Sequence, residues 1–233
     1  MAMKKLYTCG CSMMSVDKTP SNIISFLELY ARTKNLEHIS LARSGATNFL
    51  ICLQLDYAIQ QNPDYIIVGA TSSDRLDLSI MNQTLHTPIT IDNVDYSGHN
   101  SLSENLFAND TPIVVSNTLN NFVENLQKED ISIEQRESVK YYLTNLHCNM
   151  LQLQKDALMI RGQLAKLIKS NIPFLFLPGP MHWMQWTDIP NVWPSKYSQP
   201  WDLPYGTANS VSHNPQKAHD EFAKNLLELD WNG

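Results

Sequence analysis

The stretch Lys4–Ser15, KKLYTCGCSMMS, joins a short apolar run to a glycine and then to small thiol and hydroxyl residues. This pattern predicts a first β-strand that delivers Gly10, Cys11 and Ser12 to the end of a sheet. Ligands of α/β proteins bind outside the carboxyl ends of the strands, so Ser12 would lie where a nucleophile is expected. The same residues are also ordinary punctuation of a strand-to-helix turn. The far end of the chain, where His213 precedes a helix, favours the functional interpretation.

Composition excludes several classes of protein. The 233 residues are 43% hydrophobic with a formal net charge of -6, which allows a real core. Nothing resembles the clustered Lys and Arg of a nucleic-acid site. No apolar segment has the length of a signal peptide's h-region or of a membrane span. Since the four cysteines form no spaced framework, we expect a reduced, cytoplasmic chain. From the charge pattern and the lack of long apolar segments, we expect no nucleic-acid or membrane partners.

Three strand–turn–helix units follow one another in the first third of the chain. Strands are predicted over 6–9, 37–42 and 65–68, and each ends in a small polar loop. The first helix is predicted to begin at Thr19-Pro20, with threonine as N-cap and proline at the first helical position. Strands that alternate with helices indicate a parallel sheet with right-handed crossovers, so the three loops converge on one edge.

The remainder of the chain contains one more strand and two helical regions. Residues 78–130 are predicted to be an irregular insertion with a helix at 118–126, and 132–169 a long helix packing on the sheet. A buried strand follows at 172–177, and Asn214-Pro215 opens the last helix. We therefore predict one α/β domain over 1–233, a flavodoxin-like three-layer sandwich with a central parallel sheet of about five strands.

The connection over 178–210 is dense in aromatic residues. Four of the five tryptophans lie in it: Trp183, Trp186, Trp193 and Trp201. The rings can form the loop's own small core or a wall for a ligand. We predict that 181–205 walls a cleft beside Ser12 and that at least one tryptophan faces it.

Four short blocks in this order resemble those of the SGNH, or GDSL-type, hydrolases. The first block corresponds to Gly10-Cys11-Ser12, the second to Gly45 within SGATN, and the third to Gly69-Ala70-Thr71-Ser72. The last block corresponds to Ser210-Val211-Ser212-His213. The third block, with Arg75 shortly after it, is similar to divergent phage-encoded members, which would place the protein in a virion or the host cytoplasm.

The resemblance implies an esterase with no cofactor and no metal, acting on acyl or acetyl esters, including esters of carbohydrates. Ser12 would be the nucleophile and His213 its base, because a serine hydroxyl needs an adjacent imidazole. The backbone N–H groups of Ser12 and Gly45 and the hydroxyl of Thr71 would stabilise the oxyanion. Sequence leaves the natural substrate and the oligomeric state open.

Two departures from the family pattern weaken the enzyme hypothesis. Thr71 replaces the family's asparagine, and Ser210 replaces the aspartate that orients the histidine. In serine-protease triads, a neutral residue in that role costs about four orders of magnitude in rate. Asp202 or Asp188 could substitute. The alternatives are an SGNH-fold binding or structural module without turnover and, further behind, a flavodoxin-type binding domain, which lacks a glycine-rich phosphate loop.

Other candidates receive weaker interpretations. Arg75 would hold an anionic group or pair with a neighbouring carboxylate, and His182 and Trp183 would contact substrate. His219 is predicted to be structural, and Cys11 is an alternative nucleophile whose side chain should point into the sheet. The set Cys9, Cys11, His147 and Cys148 fits no standard metal pattern.

Overall fold

The computed structural model describes residues 3–11, 14, 24–43, 46–73, 77–79, 112–114, 133–195, 197, 216–229 and 231. Its strands are β1 (Lys4–Cys9), β2 (Leu36–Ser40), β3 (Tyr65–Gly69), β4 (Asp77–Ser79), β5 (Pro112–Val114) and β6 (Phe174–Leu177). Its helices are α1 (Phe26–Thr33), α2 (Asn48–Gln60), α3 (Ile133–Asn145), α4 (Asn149–Lys169) and α5 (Gln216–Glu228).

The centre of the fold is a parallel sheet in the order β2-β1-β3-β6. Cys9 pairs with Val68, and Gly69 pairs with Leu177, so β1, β3 and β6 end at the same level. The central strands are buried on both faces, as their continuous apolar sequences predict. Their carboxyl ends therefore form one common edge.

Helices cover both faces of the sheet, which makes three layers. On one face α2 and α4 pack against each other, and a buried cluster includes Ile51, Leu55, Ile66 and Leu164. On the other face α1 packs against α5, and the cluster includes Leu6, Phe26, Leu175 and Phe222. The predicted α/β three-layer fold is confirmed.

The strand count differs slightly from the predicted five. All four strands named from the sequence are present, and within the described residues the parallel sheet contains these four. A single bridge extends it beyond β6: the Phe176 N–H donates to the Asn191 carbonyl at 2.9 Å, and the Trp193 N–H donates to the Phe176 carbonyl at 2.8 Å. A short irregular segment thus forms backbone hydrogen bonds with the outer edge of β6.

The first helix begins later than predicted. It starts at Phe26 with Ser25 as N-cap, and the Ser25 side chain accepts a hydrogen bond from the Glu28 N–H. Ile24 and Ser25 are not helical, so a continuous helix from Thr19 is wrong, although Thr19-Pro20 itself lies outside the described residues. A serine cap competes with helix continuation because its oxygen satisfies an orphan N–H group.

The predicted long helix is two helices, interrupted at Leu146–Cys148 and continuous through Gly162. Several apolar residues of this region do not pack on the sheet, since Ile133, Leu146 and Leu158 are 72%, 64% and 70% exposed. The buried face of α4 consists of Asp156, Ala157, Ile160, Leu164 and Leu167. Because this buried face includes the carboxylate of Asp156, a pattern based on apolar residues alone does not identify it.

The predicted irregular insertion contains the antiparallel pair of β4 and β5. The helix predicted at 118–126 lies outside the described residues, and the single-domain prediction remains a prediction. No helix among the described ranges is both long and apolar enough to cross a membrane.

Candidate active site

The residue around which the site is built is Gly10, directly after β1. Its N–H donates to Gln54 Oε1 at 2.7 Å, and its carbonyl accepts from Gln54 Nε2 at 3.3 Å. The same carbonyl accepts the Arg43 N–H at 3.1 Å. Gln54 lies on α2 and is fully buried. Its amide thus holds the backbone two residues before Ser12 and leaves no hydrogen-bonding group of Gly10 unsatisfied.

Only glycine fits at this position. A Cβ atom on Gly10 would lie 2.4 Å from Met14 Cγ and 3.2 Å from the Gly69 carbonyl oxygen. The ends of β1 and β3 are therefore in close contact. The Met14 N–H donates to the Cys11 carbonyl at 2.9 Å, a hydrogen bond that spans positions 12 and 13.

The loop after β2 is joined to the loop after β1 through Arg43. The Ala46 N–H donates to the Arg43 carbonyl at 3.2 Å and so spans positions 44 and 45. Thr47 then caps α2, with its side chain accepting the Leu50 N–H at 3.2 Å. The backbone on both sides of Gly45 is consequently fixed relative to Gly10.

The loop after β3 is held by Asn48, the first residue of α2. Asn48 Oδ1 accepts the Thr71 N–H at 2.9 Å, and Asn48 Nδ2 donates to the Thr71 carbonyl at 3.0 Å. Thr71 is 2% exposed. Since Asn48 occupies the Thr71 backbone N–H, only the hydroxyl of Thr71 remains for the predicted role as oxyanion donor.

A buried carboxylate completes this connection. Asp156 on α4 accepts hydrogen bonds from Asn48 Nδ2 and Gln152 Nε2, both at 2.8 Å. The Ser73 hydroxyl lies near the carboxyl group without the geometry of a full hydrogen bond. Burial raises the pKa of Asp156, and the neighbouring donors oppose that rise.

The start of the last helix is joined to the start of α1. The Gln216 amide exchanges two hydrogen bonds with the backbone of Ile24, at 2.8 and 3.2 Å. His219 Nδ1 accepts the Phe26 N–H at 3.3 Å, and its ring stacks on Phe26 at 6.1 Å between centroids. The structural role predicted for His219 is confirmed.

A cleft of about 360 Å³ opens beside the third block. Ser72 and Ser73 line one side, and Met181 and Trp183 line another. Trp183 is 61% exposed. One tryptophan of the aromatic connection therefore faces a cleft at the carboxyl edge.

The two other described tryptophans of that connection are buried in the core. Trp186 packs edge-on against Phe176 at 4.8 Å between centroids, and Trp193 is 2% exposed. The interpretation as a small core is thus correct for these two rings, and a ligand wall beside Ser12 remains a prediction. Trp201 lies outside the described residues.

Several predicted site residues fall outside the described ranges, and their roles stay predictions: Ser12, Gly45, Arg75, Asp202, Ser210 and His213. Of the remaining candidates, His182 donates its Nδ1 hydrogen to the Gly179 carbonyl at 3.0 Å. Asp188 is exposed, and Arg161, which hydrogen-bonds to its carboxylate, lowers its pKa. The Asp188 carboxylate, one of the two possible partners predicted for His213, is thus paired with Arg161.

The thiols near β1 are buried. Cys11 has no exposed surface, which agrees with a side chain pointing into the sheet. Burial also raises the pKa of Cys9. The described residues include no group of three or more His, Cys, Asp or Glu residues that could hold a metal ion.

Sequence reasoning missed Gln54, Asn48 and Asp156. The first two lie on α2 and the third on α4, where polar residues resemble an ordinary solvent-facing surface. The available signal for Asn48 was its position directly after the cap Thr47, at the end of the second block.

Comparisons with known proteins include a distant likeness to a solved structure. No family model matches the sequence, and no curated protein matches it. Among solved structures, a "putative lipolytic protein of G-D-S-L family" from Desulfitobacterium hafniense DCB-2 superimposes with a TM-score of 0.47 and 8% identity. The superposition covers 96% of this chain and 97% of that one. A likeness at this level carries no information about substrate or catalytic residues.

Proposed function

We propose that the protein is a serine hydrolase that acts on small acyl or acetyl esters, with Ser12 as nucleophile and His213 as base. The observation that supports this most is the mutual bonding of the loops after β1, β2 and β3. Gly10 bonds to Arg43 at 3.1 Å, and its backbone lies against Gly69. The described residues that flank three of the four sequence blocks are therefore bonded or packed at one edge, which supports a catalytic site there.

Chain connectivity supports a short separation between these blocks. Ser12 is two residues from Gly10, and Gly45 is two residues from Arg43. Because consecutive Cα atoms are about 3.8 Å apart, the Cα atoms of Ser12 and Gly45 each lie within about 7.6 Å of the anchored residue. These limits are compatible with the proposed pair of oxyanion donors.

The chemistry follows from these assignments. His213 takes the hydroxyl proton of Ser12 as its oxygen attacks the ester carbonyl, and negative charge moves to the carbonyl oxygen. The N–H groups of Ser12 and Gly45 and the Thr71 hydroxyl stabilise that charge. Collapse of the intermediate expels the alcohol with the proton from His213, and water then hydrolyses the acyl-serine by the reverse proton path.

The last block favours a second candidate function, a binding module without turnover. Ser210 provides no charge to stabilise the imidazolium of His213, and Asp188 is engaged by Arg161. The same meeting of loops would then serve to hold an ester or acylated sugar without cleaving it. The two functions differ in whether Ser12 is an activated nucleophile.

Labelling with a fluorophosphonate probe tests the enzyme hypothesis, because the probe reacts with an activated serine whatever the substrate. We expect the parent protein and the control Ser138→Ala, which changes an exposed serine of α3, to be labelled equally. The Ser12→Ala protein should not be labelled. Equal labelling of all three proteins, or none in any of them, would reject Ser12 as the nucleophile and favour the binding module.

A further inference from the structure

The cleft beside the third block has a definite chemical character. Its apolar wall comes from α4 and from the turn after β6, and it includes Met150, Leu153, Met181 and Trp183. As far as the structure describes the chain, no charged side chain lines this cleft. Its volume of about 360 Å³ lies at the small end of the usual range for ligand sites, about 300–1,000 Å³.

The position of the cleft relates it to the proposed nucleophile. Ser72 and Ser73 line the cleft and follow Thr71 directly, and Asn48 fixes the Thr71 backbone. The strand that leads into these residues runs beside Gly10, where a Cβ atom would lie 3.2 Å from the Gly69 carbonyl oxygen. An ester carbonyl at Ser12 could therefore extend one of its two substituents into the cleft.

We propose that this cleft binds the uncharged acyl chain of the ester, an inference that rests on the proposed function. An acyl chain fits better than a sugar because five of the eight described lining residues are apolar. A sugar needs many hydrogen-bonding partners, and the described lining offers three polar side chains, Ser72, Ser73 and Asn149. Methionine suits such a site because its flexible thioether adapts to chains of different length.

Acyl chain length tests the inference. For p-nitrophenyl esters from acetate to hexanoate, we expect kcat/KM to rise by up to about fourfold for each methylene buried. The Trp183→Ala protein should lose most of this rise, so that the ratio of hexanoate to acetate activity falls at least tenfold. Leu158→Ala is the matched control, since Leu158 is 70% exposed on α4 and does not line the cleft.

Binding to the Ser12→Ala protein separates this inference from the proposed function. We expect calorimetric titration with hexanamide, a neutral mimic of the acyl chain, to show binding that the additional change Trp183→Ala weakens at least tenfold. If the parent protein hydrolyses no ester but hexanamide binds in this way, the cleft assignment stands and the proposed function fails.

The opposite result overturns the cleft assignment. Hydrolysis by Ser12 with no dependence on chain length, and with the same ester ratio in the parent and Trp183→Ala proteins, would place the acyl group elsewhere. Inhibition of ester hydrolysis by methyl glucoside but not by hexanamide would assign the cleft to a sugar instead, if the Trp183→Ala change abolishes that inhibition.

Discussion

Replacing Asn48 with aspartate should make the stability of the protein strongly dependent on pH. The change preserves shape, and the Thr71 N–H keeps its acceptor, but the atom that donates to Asp156 and to the Thr71 carbonyl becomes an oxygen. The two lost hydrogen bonds are 2.8 and 3.0 Å long and buried. One of them is to a charged group, so the expected cost at neutral pH is about 3–4 kcal/mol.

Protonation of one carboxyl in this variant restores an O–H donor between the two side chains. The folded state then holds a proton that the unfolded state releases above about pH 4. The free energy of unfolding should therefore fall as pH rises above that point, by up to about 1.4 kcal/mol per pH unit. The destabilisation relative to the parent is smallest in mild acid and largest near neutrality.

Urea unfolding at pH 5 and pH 7.5 measures this effect. Asn145→Asp is the matched control, because Asn145 also donates to a backbone carbonyl, at 3.0 Å, but is exposed on α3. It adds the same charge and should change stability by about 0.5 kcal/mol or less. If Asn48→Asp unfolds at the same urea concentration as the control at both pH values, the Asn48–Asp156 contact does not stabilise the fold.

Three further predictions follow from named contacts. Gly10→Ala should destabilise the protein by about 2 kcal/mol through the clash with Met14. Gly162→Ala, which has open space around its Cβ position, should stabilise it by about 0.5–1 kcal/mol. Thermal unfolding compares the two variants, and equal shifts in their melting temperatures would contradict the close packing at Gly10. Because burial raises the pKa of Asp156, the parent should lose stability as pH rises from the ordinary aspartate pKa through the raised value. Urea unfolding of Asp156→Asn should show a smaller loss of stability over the same pH range. The same pH profile in both proteins would exclude Asp156 as the cause. Ser210→Asp should raise p-nitrophenyl acetate hydrolysis at least tenfold, about 1.4 kcal/mol in barrier, and a decrease would show that another group already orients His213.

The fold could be predicted because its strands carry their own signals. Tyr65–Gly69 has the sequence YIIVG. A continuous apolar run of this length between polar loops is typical of a buried strand. The prediction for the long helical region failed because tertiary packing, not the local sequence, decides which side of the helix is buried. Its apolar residues repeat at helical spacing, yet Ile133 and Leu158 face outward, while Asp156 and Ala157 face the core. Periodicity alone does not identify which side of a helix meets the sheet.

The contacts of the candidate site could be predicted only in part. Gly10 and the loop ends were visible, because glycine and small polar residues after apolar runs mark strand ends. The residues that hold those loops lie far away in sequence: Gln54 is 44 positions from Gly10, and Asp156 is 108 positions from Asn48. Such polar pairs follow from how the helices pack, and no local pattern encodes them.

If the cleft binds the acyl chain as proposed, the buried carboxylate of Asp156 favours a neutral chain over an anionic one. Asp156 is the only acidic side chain buried among the described residues, and Ser73, which lines the cleft, lies near its carboxyl group. A charge in a low-dielectric interior acts at longer range than one in water, so it disfavours an anionic group nearby. The described lining of the cleft offers no cation to offset it, and Arg161 is already paired with Asp188. An ester with an uncharged acyl group avoids this repulsion, whereas one whose acyl chain ends in a carboxylate would bring a second negative charge towards Asp156.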